Sequence, residues 1–254
     1  MNTTRTIAVA ALLVSGCTRT APAPITSGSG LISAMHDRYA RDMYHTLSFV
    51  QKSTYLKEDG SPSRVETWYE SLQFPGKLRI DLGEPAKGNG VLYRHDSTYQ
   101  LQAGKITDRR AGRNPLLVLG FDVYAQSPST SLAQLDAEHI AVGEFHTDTL
   151  GGVPMYVVGA ARGDLTSKQF WVDARDLLFR RLIDYNAARK LTSDIRFEEY
   201  KPYGKAWVSE RVRVYRDGKQ VFQEDYSDVR VNPPLDANLF IPEKWSIAKH
   251  WYTP

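Results

Sequence analysis

KQFWVDARDLLFRRLIDYNAARKLTSDIRFEEYKPYGKAWVSERVRVYRDGKQVFQEDYSDVRV occupies residues 168–231. It divides into strand-like runs at Lys168 to Asp173, Leu177 to Tyr185, Leu191 to Tyr200, Ala206 to Tyr215 and Gln220 to Val231. β-Branched and aromatic residues recur at period two in these runs, the spacing of a half-buried strand. Asp217-Gly218 is the strongest hairpin signal in the chain, because a tight turn of this kind needs positive φ at its central residues. Strands joined by such short turns are antiparallel.

The same rhythm extends upstream. Leu47, Phe49, Gln51, Ser53 and Tyr55 share one face of a strand, and Asp59-Gly60 turns the chain. Arg64 to Phe74, Leu78 to Leu82, Val91 to Arg94 and Thr98 to Gln102 follow, then Ile140 to Thr147 and Met155 to Ala160. Gly104-Lys105 and Gly151-Gly152-Val153-Pro154 read as turns. Three stretches break the pattern. Leu31 to Thr46 carries Leu31, Ile32, Met35, Tyr39, Met43 and Leu47 at helical spacing, with an N-cap region at Ser29-Gly30. Asn114 to Phe121 is a short apolar helix, with Pro115 suited to the first position after an Asn cap. Leu132 to Leu135 is a second short helix. The fold class is therefore mainly β (α+β). It is a highly curved antiparallel sheet or incomplete β-barrel of about eleven strands, covered by an N-terminal helix and short lid helices.

Residues 1–16 read as a signal peptide, with Arg5 ahead of the short apolar run Ile7 to Val14. Leu13-Val14-Ser15-Gly16-Cys17 resembles a bacterial lipobox, which implies cleavage before Cys17 and lipidation of its thiol. Two or more acyl chains give stable anchoring, at about 0.8 kcal/mol per buried CH₂. Thr18 stands where an Asp would favour inner-membrane retention, so the outer membrane facing the periplasm is favoured in a Gram-negative host. Residues 17–30 are Pro-, Gly- and Ser-rich and read as a lipid-anchored tether. Residues 31–254 form the folded domain.

Within that domain, Phe170 to Trp245 resembles the C-terminal half of LolA-like and LolB-like lipoprotein-carrier domains. Trp171-Val172-Asp173 with Leu177 to Leu182 looks like the family's strand–turn–strand pair. Asn232 to Pro242 looks like its closing segment with a buried Phe, and Gly151 to Tyr156 is similar to its central turn and strand. The resemblance covers residues 31–245 and implies an apolar cavity between a half-barrel and a helical lid, suited to the acyl chains of lipids or lipoproteins. The alternating strands offer Leu78, Ile80, Leu101, Phe170, Val172, Val212, Val214 and Phe222 as its lining, and Leu116, Leu117 and Leu119 as the lid. Phe170→Asp is then expected to abolish binding and leave the domain folded. A closed core built of the same residues is the competing reading. It would make the protein an envelope sensor or interaction module with a protein partner. The protruding loop of LolB-like acceptors has its nearest counterpart in Gly83 to Gly88, which is not apolar.

Composition narrows the remaining classes. The chain has 254 residues, 32 Lys+Arg against 29 Asp+Glu, and a single Cys. A net charge of +3 does not point to nucleic acid. Mean hydropathy is −0.41 and no apolar run reaches spanning length. One Cys allows neither an internal disulfide nor a multi-Cys metal site. The six histidines (His36, His45, His95, His139, His146 and His250) are scattered, and no metal, cofactor or catalytic set is expected. An envelope hydrolase would need a carboxylate pair, for which Glu198-Glu199 and Glu210 are the nearest candidates. Arg196, Arg211 and Arg213 are expected to neutralise them.

Overall fold

The computed structural model describes residues 24–253. The stretch read as a signal peptide, with Cys17 and Thr18, lies outside them. Thirteen strands form a single antiparallel sheet. They are β1 (Thr46–Leu56), β2 (Pro62–Gln73), β3 (Lys77–Leu82), β4 (Gly90–Arg94), β5 (Ser97–Gln102), β6 (Lys105–Ala111), β7 (Ala141–Leu150), β8 (Val153–Gly159), β9 (Gln169–Asp173), β10 (Phe179–Asn186), β11 (Leu191–Tyr203), β12 (Ala206–Arg216) and β13 (Lys219–Val231). Their order is β6-β5-β4-β3-β2-β1-β13-β12-β11-β10-β9-β8-β7. Two meanders therefore meet where β1 pairs with β13, Leu47 opposite Val231. The sheet is curved and does not close.

The turns follow the sequence. Asp217 and Gly218 both have positive φ (48° and 79°), as do Gly151 and Gly152 (57° and 80°). Such pairs give the turn twist that matches the strands. The strand that the period-two reading missed is β6. All seven of its residues are exposed, so it has no apolar face to betray it. Its charges suit an edge strand.

The helices also depart from the sequence reading. α1 runs Gly28–Tyr39, capped by Ser27, whose Oγ accepts from Gly30 N at 3.0 Å. It thus begins inside the stretch read as tether, where Ile25 already packs against the core. It ends well before Thr46. Met43 and Tyr44 stay buried beyond it, and the His45 amide donates to Asn232 Oδ1 at 2.8 Å. Between β6 and β7 come α2 (Pro115–Leu117), a π-helical turn (Val118–Asp122), α3 (Val123–Ala125) and α4 (Pro128–Ala137). Asn114 Oδ1 caps α2 by accepting from Leu116 N at 2.9 Å, with Pro115 in the first turn. This helical segment leaves one sheet edge and enters the other, so it has to cross the open side.

Each face of the sheet has its own cover. Leu31, Ile32 and Met35 of α1, with Leu117, Leu119 and Val123 of the crossing segment, share the main core with Leu47, Phe49, Leu78, Phe170, Val172 and Val212. On the other face, Leu92, Tyr99 and Leu101 pack against Leu239, Phe240 and Trp245 of the C-terminal segment. Gly90 shows how close that second cover lies. A Cβ there would sit 2.6 Å from Trp245 Cζ2 and overlap the Ile80 carbonyl oxygen. Gly90→Ala is expected to cost about 2–3 kcal/mol, roughly 4–10 °C in melting temperature, measured by thermal denaturation.

Candidate functional site

A cavity of about 80 Å³ lies between the sheet and the helical segment. Leu78 and Ile80 of β3, Val212 of β12, and Leu116 and Leu117 of α2 supply aliphatic walls. Phe49, Phe121, Phe197 and Tyr226 add aromatic ones. Phe49 stacks on Tyr226 with ring centres 4.1 Å apart. Register explains the grouping. Ile80 is opposite Glu70 on β2, Glu70 is opposite Phe49 on β1, and Val212 is opposite Glu224 on β13.

Two carboxyls therefore enter a lining that is otherwise apolar except for Asn114 and the Tyr226 hydroxyl. Glu70 is 6% exposed and makes neither a hydrogen bond nor an ion pair among the described residues. Burial pushes its pKa well above the usual carboxylate range, and repulsion from Glu224 adds to the rise. Glu224 is pushed up to about 7 by burial, with the Tyr226 hydroxyl and the Gln51 amide acting against the rise. Tyr226 OH donates to Glu224 Oε2 at 2.6 Å. None of the described lining residues is Lys, Arg or His.

The helical segment is held over this cavity at identifiable points. Gly76 N donates to both carboxyl oxygens of Asp122, at 3.0 and 3.1 Å. Burial lifts Asp122 to about 7, opposed by the Gly76 amide and by Arg113. Phe179 N donates to Tyr124 OH at 2.7 Å. Phe121 stacks on Phe74 with 5.4 Å between ring centres. Phe121 and Asp122 belong to the π-helical turn and Tyr124 follows it directly, and such turns are found often at functional positions.

Three solved structures are similar to this chain in overall fold. A domain assigned to outer membrane lipoprotein sorting, from Vibrio parahaemolyticus, aligns with TM-score 0.58 at 14% identity, covering 86% of this chain and 98% of its own. A DUF1329 family protein from Desulfovibrio piger aligns with TM-score 0.55 at 17% identity, covering 84% and 95%. A LolA superfamily protein from Nitrosomonas europaea aligns with TM-score 0.50 at 13% identity, covering 85% and 97%. The chain shares its fold with these structures and is LolA-like in that sense. No family model matches the sequence and no curated protein matches it, so the likeness lies in architecture.

Within this LolA-like fold the eleven residues read from sequence separate into groups. Leu78, Ile80, Leu116, Leu117 and Val212 line the cavity. Leu119, Phe170 and Val172 are fully buried in the main core and do not line it. Leu101 stands on the opposite face, against Leu239 and Trp245. Val214 and Phe222 are half-buried beyond the cavity, Phe222 lying 4.8 Å from the Tyr55 ring and 6.0 Å from Trp68. Phe170→Asp is therefore a different experiment from the one the sequence suggests. An unpaired carboxylate at a 0% exposed position is expected to unfold the domain, which circular dichroism would show.

The candidate catalytic acids are in ion pairs. Glu198 meets Arg213 at 2.7 Å, Glu199 meets Arg211, and Glu210 meets Lys201 at 2.5 Å. No group of three or more potential metal ligands occurs among the described residues. The loop Gly83 to Gly88 folds as a 3-10 turn over Pro85–Lys87. It borders a larger recess of about 480 Å³ on the other face, walled by Arg79, Trp245 and His250. No helix among the described residues is long and apolar enough to cross a membrane.

Proposed function

We propose that this is a lipid-anchored cell-envelope protein that takes a hydrophobic or acylated ligand, a lipid or lipoprotein chain, beneath its helical segment without covalent chemistry. The observation that carries this reading is the apolar cavity covered by a helical crossing with few polar anchors. In support, two of the similar folds are described by lipoprotein sorting or LolA membership. Apolar burial supplies the affinity, at about 25 cal/mol per Å². Cys17 carries the anchor after removal of residues 1–16, residues 17–30 form the tether, and the outer membrane facing the periplasm is the favoured location.

Size sets the mechanism. Ligand pockets ordinarily measure about 300–1,000 Å³, and 80 Å³ is the space of two or three waters. An acyl chain therefore enters only if the α2–α4 segment moves away from the sheet. The anchors at Asp122 and Tyr124 set the cost of that motion.

The small volume also favours a second reading, an envelope sensor or interaction module whose core is filled by its own side chains. One experiment separates the two. The full chain, translated without membranes so that Cys17 stays unmodified, is mixed with decan-1-ol and with a neutral triacylated lipopeptide and examined by native mass spectrometry. The carrier reading expects one-to-one adducts, weakened at least about tenfold by Ile80→Asp or Leu116→Asp at the half-buried wall. No adduct with either probe favours the self-filled module. Anchoring has its own test. The chain isolated from a Gram-negative envelope carries the added mass of lipid, and Cys17→Ala lacks it.

A further inference from the structure

Glu70 has no structural partner to account for it. Asp194 is held by Arg181 and Arg196, Asp225 by Arg211, and Glu198 by Arg213, as acids in sheets ordinarily are. Glu70 is more buried than Glu224, Glu198 or Asp225, yet it has none of these contacts among the described residues. It faces the cavity. A buried, unpaired carboxyl is costly to the fold, and a Gln or Leu at the same position would cost less. The cost is offset when a cation arrives from outside the chain.

The surroundings restrict which cation fits. Glu224 contributes a second carboxyl, and none of the described lining residues supplies a positive charge. Phe49, Phe121 and Tyr226 add aromatic rings to the lining, a residue type that attracts ammonium groups. Gln51 Oε1, on the strand between Glu70 and Glu224, is buried without a hydrogen-bond donor. Apart from Asn114, whose Oδ1 is taken up by the Leu116 amide, the rest of the lining is apolar, with Leu78, Ile80, Leu116 and Leu117 as its aliphatic wall. A fatty acid would bring a third carboxyl into this site, and an alcohol would leave the acids uncompensated. A primary ammonium at the end of an alkyl chain satisfies both parts of the lining.

We propose that the cavity is selective for alkylammonium amphiphiles, with the ammonium held by Glu70 in the field of Glu224 and the chain along the Leu78, Ile80 and Leu116 wall. This rests on the hydrophobic-ligand reading above and names its ligand class. Binding moves protons in a defined direction. Both carboxyls have raised pKa values in the closed domain. An incoming ammonium favours their ionised forms, so they release protons as it binds. The other ionisable groups around them are Tyr93 on β4, Tyr226 on β13 and Tyr200 on β11, with Arg110 acting on Tyr93 from β6. The tyrosine pKa values all lie above neutrality, and the remaining group that titrates between pH 5 and 8 is Asp122 of the helical segment, near 7. Its proton is released by any ligand that moves the segment, so the glutamates' share is the excess release with decylamine over decan-1-ol.

The test is calorimetric titration of the full chain, translated without membranes, with decylamine, decan-1-ol and decanoate below their micellar concentrations. At pH 8 decylamine is expected to bind about 10- to 100-fold tighter than decan-1-ol, the range of a charge-assisted hydrogen bond. Decanoate is expected to be the weakest. The preference shrinks at pH 5, and titration in buffers of different ionisation enthalpy shows proton release near pH 7. In Glu70→Gln the amine-to-alcohol ratio falls to within about threefold of one. Equal binding of amine and alcohol overturns the ammonium site and leaves the hydrophobic-ligand reading standing. Tighter binding of decanoate, or a preference retained in Glu70→Gln, overturns it in the same way. Binding of none of the three overturns both readings.

Discussion

Replacing Glu70 and Glu224 together by Gln is expected to raise the melting temperature at pH 8 by about 5–10 °C and to change it by less than about 2 °C at pH 5. The sign comes from the raised pKa values. Glu224 moves from the ordinary 4.5 to about 7, and burial moves Glu70 in the same direction. The folded state therefore holds these protons more tightly than the unfolded chain does. The stability they contribute is complete below about pH 4.5 and falls as pH rises, the Glu224 part being lost through about 7. Each pKa unit is worth about 1.4 kcal/mol, so Glu224 alone carries roughly 3–4 kcal/mol across that window. A neutral amide has no such loss, and the Tyr226 hydroxyl can still donate to it. Asp122, also near 7, leaves a residual slope in the variant. Acids whose pKa is lowered, such as Asp173, Asp194 and Asp225, define the opposite limb, losing their contribution as pH falls below about 4. Thermal denaturation at the two pH values decides the matter. A variant no more stable than the parent at pH 8 would show that the carboxyls are not strained by burial.

The second large effect lies on the other face. The Arg79 guanidinium is 2% exposed and donates twice to the fully buried Asp81 at 2.8 Å, and again to the Trp245 carbonyl at 3.2 Å. The Trp245 ring lies 3.6 Å from its centre, and His250 approaches Asp81 at 3.1 Å. These contacts fasten the C-terminal segment to β3. Asp81→Ala leaves a buried guanidinium without its anion, a loss of about 3–5 kcal/mol. That corresponds to roughly 6–20 °C in melting temperature. Limited proteolysis is expected to cut after β13 early in this variant. The double change Arg79→Met with Asp81→Leu removes both charges and is expected to be near neutral. Equal damage from the single and double variants would mean that packing against Trp245, not the charge pair, holds the segment.

The residues themselves show which parts of the fold could be read from the chain. Period-two alternation found β1 to β5 and β7 to β13 because each of those strands has an apolar face against a cover. It missed β6, where every side chain is in solvent. Alternation also fails to say which face a residue takes when both faces are covered. Leu78 lies under the helical segment and Leu101 under the C-terminal segment, yet both are leucines in short alternating strands. Helical periodicity ran through Met43 because Met43 and Tyr44 stay in the core after the helix has ended. Five of the eleven predicted lining residues reach the cavity, and Glu70 and Glu224 were not among the eleven. Their positions were legible, since Glu70 is two residues from Leu72 and Glu224 two residues from Phe222. Charge argued for the solvent face, and only the three-dimensional cover shows otherwise.

The meeting of β1 with β13 has a consequence for synthesis. Every other strand pair joins sequence neighbours, and its hairpin can close as the chain leaves the ribosome. β1 must wait for a partner some 180 residues downstream, with Leu47 unable to face Val231 until nearly the whole chain has been made. During that interval the nascent protein holds a first meander with one long edge of unpaired amides, the kind of edge that recruits other strands. Closure of the final pair is thus the slow, high-contact-order event. Both covers depend on it, because the helical segment needs both sheet edges in place and the C-terminal segment follows directly from β13.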